Sequence, residues 1–283
     1  MKPQYQHELM TSFFLWFDHE LLQKGEAYSN KTGQLYYMED DRLPSDYVRY
    51  SSPYKQWVTD SSITGESNPT IPTGFMGSGR NDDFIFDFEN GSVIHTGSSS
   101  IGSDQTITGT FAVKDFNVYL SNSTEEDLII EGKFKLNSRY GNSATTGIQP
   151  YDQVTPAIFL NVEFSRNEGF AFGGMDKTSS TIKAVVLADN EYQLDGVLSI
   201  FADSARKIVP KIPFTAHPGT EYGDVKNGAY NYNTLKNSYS SEPFFIDDVV
   251  VSKFSDRAQS SVPGDIKVGF IDFDISTQRF PRQ

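Results

Sequence analysis

Hydrophobic positions are spread unevenly along this chain. The densest run lies near its start, in Ser12-Phe13-Phe14-Leu15-Trp16-Phe17-Asp18-His19-Glu20-Leu21-Leu22. Leu15, Leu22 and the rings between them fall at helical spacing, with Ser12 placed to cap the N-terminus. The pattern predicts a helix over about 12–24, stopped by Gly25 as the residue past its end. A turn at Lys31-Thr32-Gly33 and a strand over 34–37 follow. One short helix hides only part of so many rings on a single side. The rest need another surface, either the body of the same chain or a neighbouring subunit; Phe13, Phe14, Trp16, Phe17 and Leu21 are the candidate surface for meeting a subunit.

Alternation of apolar and polar positions organises most of the rest. Strands are expected over 47–50, 55–58 and 84–88, and the Asn90-Gly91 turn leads into another over 93–95. Further strands are expected over 105–113 and 116–120, with Lys114-Asp115 as the bend between them. Others fall at 157–164, at 181–187 after a glycine-rich turn over 169–174, and at 244–254 and 267–275. Two short internal helices interrupt this rhythm. One spans 128–137, announced by Ser123-Thr124-Glu125-Glu126-Asp127. The other spans 191–205, where Leu194, Val197, Leu198 and Phe201 stand at i, i+3, i+4 and i+7. Segments rich in Ser, Thr, Gly, Asn and Tyr predict long loops at about 60–80 and 217–239. With no repeat and no long polar linker, the expectation is a single domain over 1–283. Its class is α+β and β-rich, with antiparallel, sandwich-like sheets, an N-terminal helix and two short internal ones.

Composition adds weight to the rings. Hydrophobic residues are 37% of the chain and aromatics 14%, with 22 Phe and 15 Tyr, so the core rests on rings more than on aliphatic side chains. The net charge of -13 argues against binding a nucleic-acid backbone. A cysteine count of 0 excludes disulfides and thiolate-bound metals. The first residues are polar and do not read as a secretory signal. The run from Ser12 to Leu22 is too short, and too interrupted by charge, to span a membrane.

Candidate chemistry is sparse. His7-Glu8 and His19-Glu20 begin like a zinc-peptidase helix, but Thr11 and Gln23 stand where the second histidine belongs, so both read as polar helix faces. Gly169 and Gly174 have phosphate-loop spacing, yet Met175-Asp176 precedes Lys177-Thr178, and a turn between strands is the expectation. No Gly-x-Ser-x-Gly elbow exists, and His7, His19, His95 and His217 stand in no triad context. Asp87 with Glu89, and Asp272 with Asp274, alternate along strands and share a face, as glycosidase carboxylates can, though such spacing is common on any solvated sheet. Asn30, Asn90 and Asn122 satisfy the glycosylation rule, which has no bearing without secretion. Trp57, Tyr230 and Tyr232, if exposed, could stack on sugars. No catalytic residue, cofactor or metal ligand is expected.

The stretch Leu15-Trp16-Phe17-Asp18-His19-Glu20-Leu21-Leu22 with Gly25-Glu26-Ala27-Tyr28 carries a resemblance. So do Tyr50 to Val58, Ala112-Val113-Lys114-Asp115-Phe116-Asn117-Val118-Tyr119, Tyr192-Gln193-Leu194-Asp195-Gly196-Val197-Leu198 and Gly269-Phe270-Ile271-Asp272-Phe273-Asp274. Together they resemble virion structural proteins of tailed bacteriophages, particularly the large marine and cyanobacterial contractile-tail phages. That resemblance implies a ring-forming neck or collar protein that joins head to tail, or another tail protein, acting through protein–protein contacts without being an enzyme. It implies a homo-oligomer with other virion proteins as partners, no membrane, synthesis in the host cytoplasm and residence in the virion. Two other classes stand beside it: a baseplate- or fibre-associated carbohydrate-binding module, and a cell-wall-degrading enzyme using an acid pair.

Overall fold

The computed structural model describes residues 4–45, 47–63, 84–95, 107–121, 155–170, 172–219, 230–254 and 266–280. In chain order they form α1 (Tyr5–Gly25), β1 (Tyr28–Met38), β2 (Val48–Ser51), β3 (Phe84–Asp87), β4 (Ser92–His95), β5 (Ile107–Lys114) and β6 (Asn117–Leu120). Then come β7 (Ala157–Gly169), β8 (Asp176–Ala188), α2 (Glu191–Ala202), β9 (Ile208–Val209), α3 (Tyr232–Ser238), β10 (Phe244–Lys253) and β11 (Lys267–Arg279). This is the β-rich α+β chain that the periodicity predicts; among the described strands all pairings are antiparallel except that β6 runs parallel to β7. The helix expected over 128–137, most of the loop at 60–80 and Asn122 lie outside the described residues.

Where the lack of a polar linker suggests one body, the chain separates into two compact units. One comprises Met1–Glu26, Asp115–Ala216 and Thr234–Gln283; the other comprises Ala27–Lys114 and His217–Asn233. The chain crosses between them four times, at Glu26 and Ala27, Lys114 and Asp115, Ala216 and His217, and Asn233 and Thr234, with no spacer at any of these points. Composition therefore carries no sign of the division.

The smaller unit is a five-stranded sheet in the order β3-β4-β2-β1-β5. Lys31-Thr32-Gly33, read as a turn, lies mid-strand in β1, opposite Phe111, Thr110 and Gly109. The partner strand β5 decides this, satisfying backbone groups that an isolated Thr-Gly pair would turn aside. Further along, β1 leaves β5 and pairs with β2 over its last residues. The core is Leu35, Tyr50, Trp57, Phe88, Val93, Ile107 and Phe111, with the Trp57 and Phe111 rings stacked at 4.5 Å. The segment 55–58 is not a strand: Trp57 forms an isolated bridge to Val113, and its N–H donates to the Phe88 carbonyl at 2.7 Å. The Asn-Gly hairpin forms, but with a four-residue connection, because Asp87 pairs with Ser92 and Phe88 turns into the core. Gly91 has φ 62°, and a Cβ there would run into the Tyr54 carbonyl. Buried Asp60 accepts from the Ser62 N–H at 2.9 Å, the Ser62 hydroxyl at 2.7 Å and the Tyr232 N–H at 3.0 Å. These bonds help hold the segment around Tyr230 and Tyr232 in place, and α3 begins within what was read as loop.

The larger unit is a six-stranded sheet in the order β6-β7-β8-β11-β10-β9. At its centre β8 pairs with β11 over its whole length, from Asp176 opposite Arg279 to Ala188 opposite Lys267. One face is covered by helices and not by a second sheet. α2 presents its apolar stripe, Leu194, Val197, Leu198 and Phe201, and comes so close to β11 that a Cβ on Gly269 would lie 2.8 Å from the Leu194 side chain.

α1 supplies the rest of that cover, and here the candidate subunit surface is corrected. Phe13, Trp16, Phe17 and Leu21 are at most 3% exposed, and Phe14 is half-buried. Phe17 stacks on Phe201 at 3.8 Å, and Phe13 meets Phe273 edge-on at 5.0 Å. Trp16 stands edge-on to both Phe201 and Phe273. The rings are this unit's own core because β11 and α2 meet the helix with rings of their own.

Ser12 is also not a cap, since α1 begins seven residues earlier, at Tyr5. Its buried hydroxyl accepts from the Ile212 N–H at 3.0 Å and donates to the Ile212 carbonyl at 3.3 Å, satisfying both backbone groups of that residue. The left-handed residue at the helix end is Glu26, φ 45°, one past Gly25.

Glu20 ties the helix to the chain beyond α2, accepting from Lys24 and, at 3.2 Å, from Lys207. Burial opposes its ionisation, but the two lysines outweigh it and hold the carboxyl below its ordinary range. Burial and the nearby Lys24 ammonium lower Lys207.

Two outcomes are expected. Phe17→Ala should cost about 3–5 kcal/mol in urea unfolding, since the stacked ring leaves a cavity between elements that cannot collapse together, and the oligomeric state should not change. Glu20 is held below its ordinary value of 4.5, so its contribution is complete above that value and is lost as pH falls through the folded one. The stability gap between the native chain and Glu20→Gln should accordingly be widest near neutrality and close on acidification, as read by unfolding midpoints across pH.

Candidate functional site

Among the described residues of the larger unit, three exposed phenylalanines gather on the outer half of the β7–β8 hairpin. β6 covers β7 only from Ala157 to Leu160, with a last bond from the Ser121 N–H to the Leu160 carbonyl at 2.9 Å. A register shift between Val162 and Phe164 follows at once. Among the described residues no strand pairs with the outer edge of β7 beyond this point. From Glu163 to Phe170 every residue is exposed.

Alternation sorts these residues onto two faces. Ser165 and Asn167 point toward β8 partners that α1 and β11 also reach. The Ser165 and Ser180 hydroxyls lie 2.8 Å apart, and Ser180 is 3.4 Å from the Tyr5 hydroxyl. Thr178 donates to the Asn167 amide oxygen at 2.8 Å, and Arg279 Nε donates to Thr178 at 2.8 Å while its guanidinium sits 4.1 Å from the centre of the Tyr5 ring. Burial pushes the Tyr5 phenol up, against the pull of Ser180 and Arg279. This polar network fixes one face of the hairpin to the body of the unit.

On the other face stand Phe164, Arg166, Glu168 and, past the strand end, Phe170, whose N–H still bonds the Met175 carbonyl. Phe164 and Phe170 are 52% and 55% exposed, and Phe172 in the turn is fully exposed. Arg166 pairs with Glu168 along the strand at 3.1 Å. A rigid strand with an open edge, flanked by rings and two opposite charges, can accept another strand by main-chain hydrogen bonding.

The other positions singled out from sequence fall elsewhere. Gly169 and Gly174 flank the hairpin turn, with Gly174 at φ 82°, which is the turn expected of them. His19 is buried in α1, and His7 uses Nδ1 to accept from the Gln4 N–H at 3.1 Å at the helix start. Trp57 and Tyr232, read as possible sugar platforms, are each 1% exposed, so they are packing residues, and Tyr230 is held in the backbone bonds beside Asp60.

Asp87 and Glu89 are not a pair. Glu89 lies past the end of β3, and Asp87 accepts from the Asn90 N–H at 3.1 Å and side-chain amide at 2.9 Å, closing the turn. Asp272 and Asp274 do share a sheet face; Asp274 accepts from the Thr181 hydroxyl at 2.8 Å, and Lys183 stands opposite Asp272. Among the described residues no cluster of three or more His, Asp or Glu could hold a metal ion.

The open edge is only half legible in the sequence: alternation is clear as far as Phe164 and then passes into a run of polar residues. The continuing signal was Phe164, Arg166, Glu168 and Phe170 against Ser165, Asn167 and Gly169, ending at the glycine-rich turn. No protein-family model matches the chain, and no curated protein matches it in sequence.

Arg279→Ala should release the outer hairpin while leaving the inner sheet intact. Amide exchange over 163–169 and 176–180 is expected to speed up on the order of tenfold, with 184–187 unchanged, in hydrogen–deuterium exchange read by mass spectrometry.

Proposed function

We propose that this chain is a structural component of a tailed-phage virion that works through protein–protein contacts, as a ring-forming protein of the neck or collar or of another tail ring. The single observation that supports assembly is the outer β7–β8 hairpin, where a strand edge and three phenylalanines stand in solvent on a braced framework. Monomeric proteins usually blunt such an edge by covering or twisting it, and leaving it open with rings alongside favours a partner. The virion part of the reading rests on the resembling stretches given above.

The contact surface differs from the one first expected. The aromatic face of α1 is spent on the chain's own core, so joining falls to β7, its turn, and exposed rings such as Tyr192. The acidic net charge keeps separate copies apart until contacts specific enough to overcome it form.

Purified particles provide the test. Mass spectrometry of gradient-banded virions should find the chain at a fixed copy number, and a reconstruction should place it in a ring with the β7–β8 hairpin in a protein contact. Absence from particles, or a hairpin left in solvent there, overturns the reading.

A further inference from the structure

The assembly reading leaves open what the β7 edge receives, and its residues specify an answer. We propose that the occupant is β7 of a second copy, running antiparallel about a two-fold axis through Asn167. This inference rests on that reading and adds the partner, the strand direction and the register.

A two-fold axis perpendicular to the sheet keeps each face of β7 on the same side in both copies. The strands can then pair only in registers centred on one residue, which faces its own counterpart. Centred on Arg166, the register opposes two guanidinium groups; centred on Glu168, it opposes two carboxylates, and like charges directly opposite are unfavourable. Centred on Ser165, it sets Phe164 against Arg166.

Centred on Asn167, every neighbour matches. Arg166 faces Glu168 of the second copy, and Glu168 faces Arg166 of the second copy. One step further out, Phe164 faces Phe170 of the second copy in both directions, and on the opposite face Ser165 meets Gly169. All four of Phe164, Arg166, Glu168 and Phe170 lie on the face that the Tyr5–Arg279 network leaves free. The pairing makes a continuous sheet from two copies without moving the brace. The register shift at Val162 and Phe164 ends the zone covered by β6 where this pairing begins. A contact of this kind joins copies in pairs; contacts that close a ring are heterologous and use other surfaces.

Both charged side chains are well exposed, so reversing them leaves the fold alone. Sedimentation equilibrium should show a dimer whose dissociation constant rises about tenfold for Arg166→Glu, and similarly for Glu168→Arg, from two mismatched cross-strand pairs. The double variant carrying both changes should return to the native value. Because the chain has 0 cysteines, Asn167→Cys introduces a unique thiol, and mild oxidation should give a covalent dimer in high yield, whereas Ser252→Cys on β10 should not.

A protein that stays monomeric at about 100 μM, far above the micromolar affinity at which a small specific contact is populated, overturns the pairing. So does a dimer indifferent to Arg166→Glu, or one that Asn167→Cys does not cross-link. In those cases the presence of the chain in purified virions still supports the assembly reading. A charge-sensitive dimer absent from virions confirms the pairing and removes the virion role.

Discussion

The larger unit depends on the packing of rings where α1 crosses β11 and α2. Phe17 on Phe201 and Phe13 on Phe273, with Trp16 edge-on to both partners, form one contiguous cluster between three elements far apart in sequence. Rings of this size bury large areas and favour edge-on and offset geometry, so the cluster fixes the helix's orientation as well as its attachment. The same packing explains why a helix with almost all its apolar residues on one run is not a sticky surface.

A consequence follows at the N-terminal end of that helix. Fixing α1 through its middle turns places Tyr5 beneath the guanidinium of Arg279 and within reach of Ser180, at the outer half of the β7–β8 hairpin. The hairpin's polar inner face is thereby tied to the core, while its outer face and open edge are held steady in solvent. Core packing and surface presentation are thus linked through one helix, its ring-rich middle giving stability and its first residue bracing the strand that has the most to offer a partner.

Much of the architecture was readable from the chain. The stripe of Leu194, Val197, Leu198 and Phe201 marked α2 correctly, alternation marked β2 to β8, β10 and β11 near their observed places, and the Asn90-Gly91 signal marked its hairpin. Three of the misreadings share a cause, namely backbone groups satisfied by partners distant in sequence. Lys31-Thr32-Gly33 has the composition of a turn but is drawn into β1 by β5. Ser12 has the chemistry of a cap but serves Ile212, two hundred residues on. The outer half of β7 is polar enough to read as loop, yet β8, itself paired with β11, holds it extended.

By itself, the sequence determined the class of the fold, the ring-dominated core, and the absence of thiol chemistry, because these follow from local periodicity and from which side chains exist. Only the tertiary structure decided which aromatic residues are spent inward and which edge is left open. That division depends on what each face meets, and a run of phenylalanines is written identically whether its partner is Phe273 of the same chain or a neighbour's surface. Local pattern sets what a segment can bury; long-range pairing sets whether it is buried.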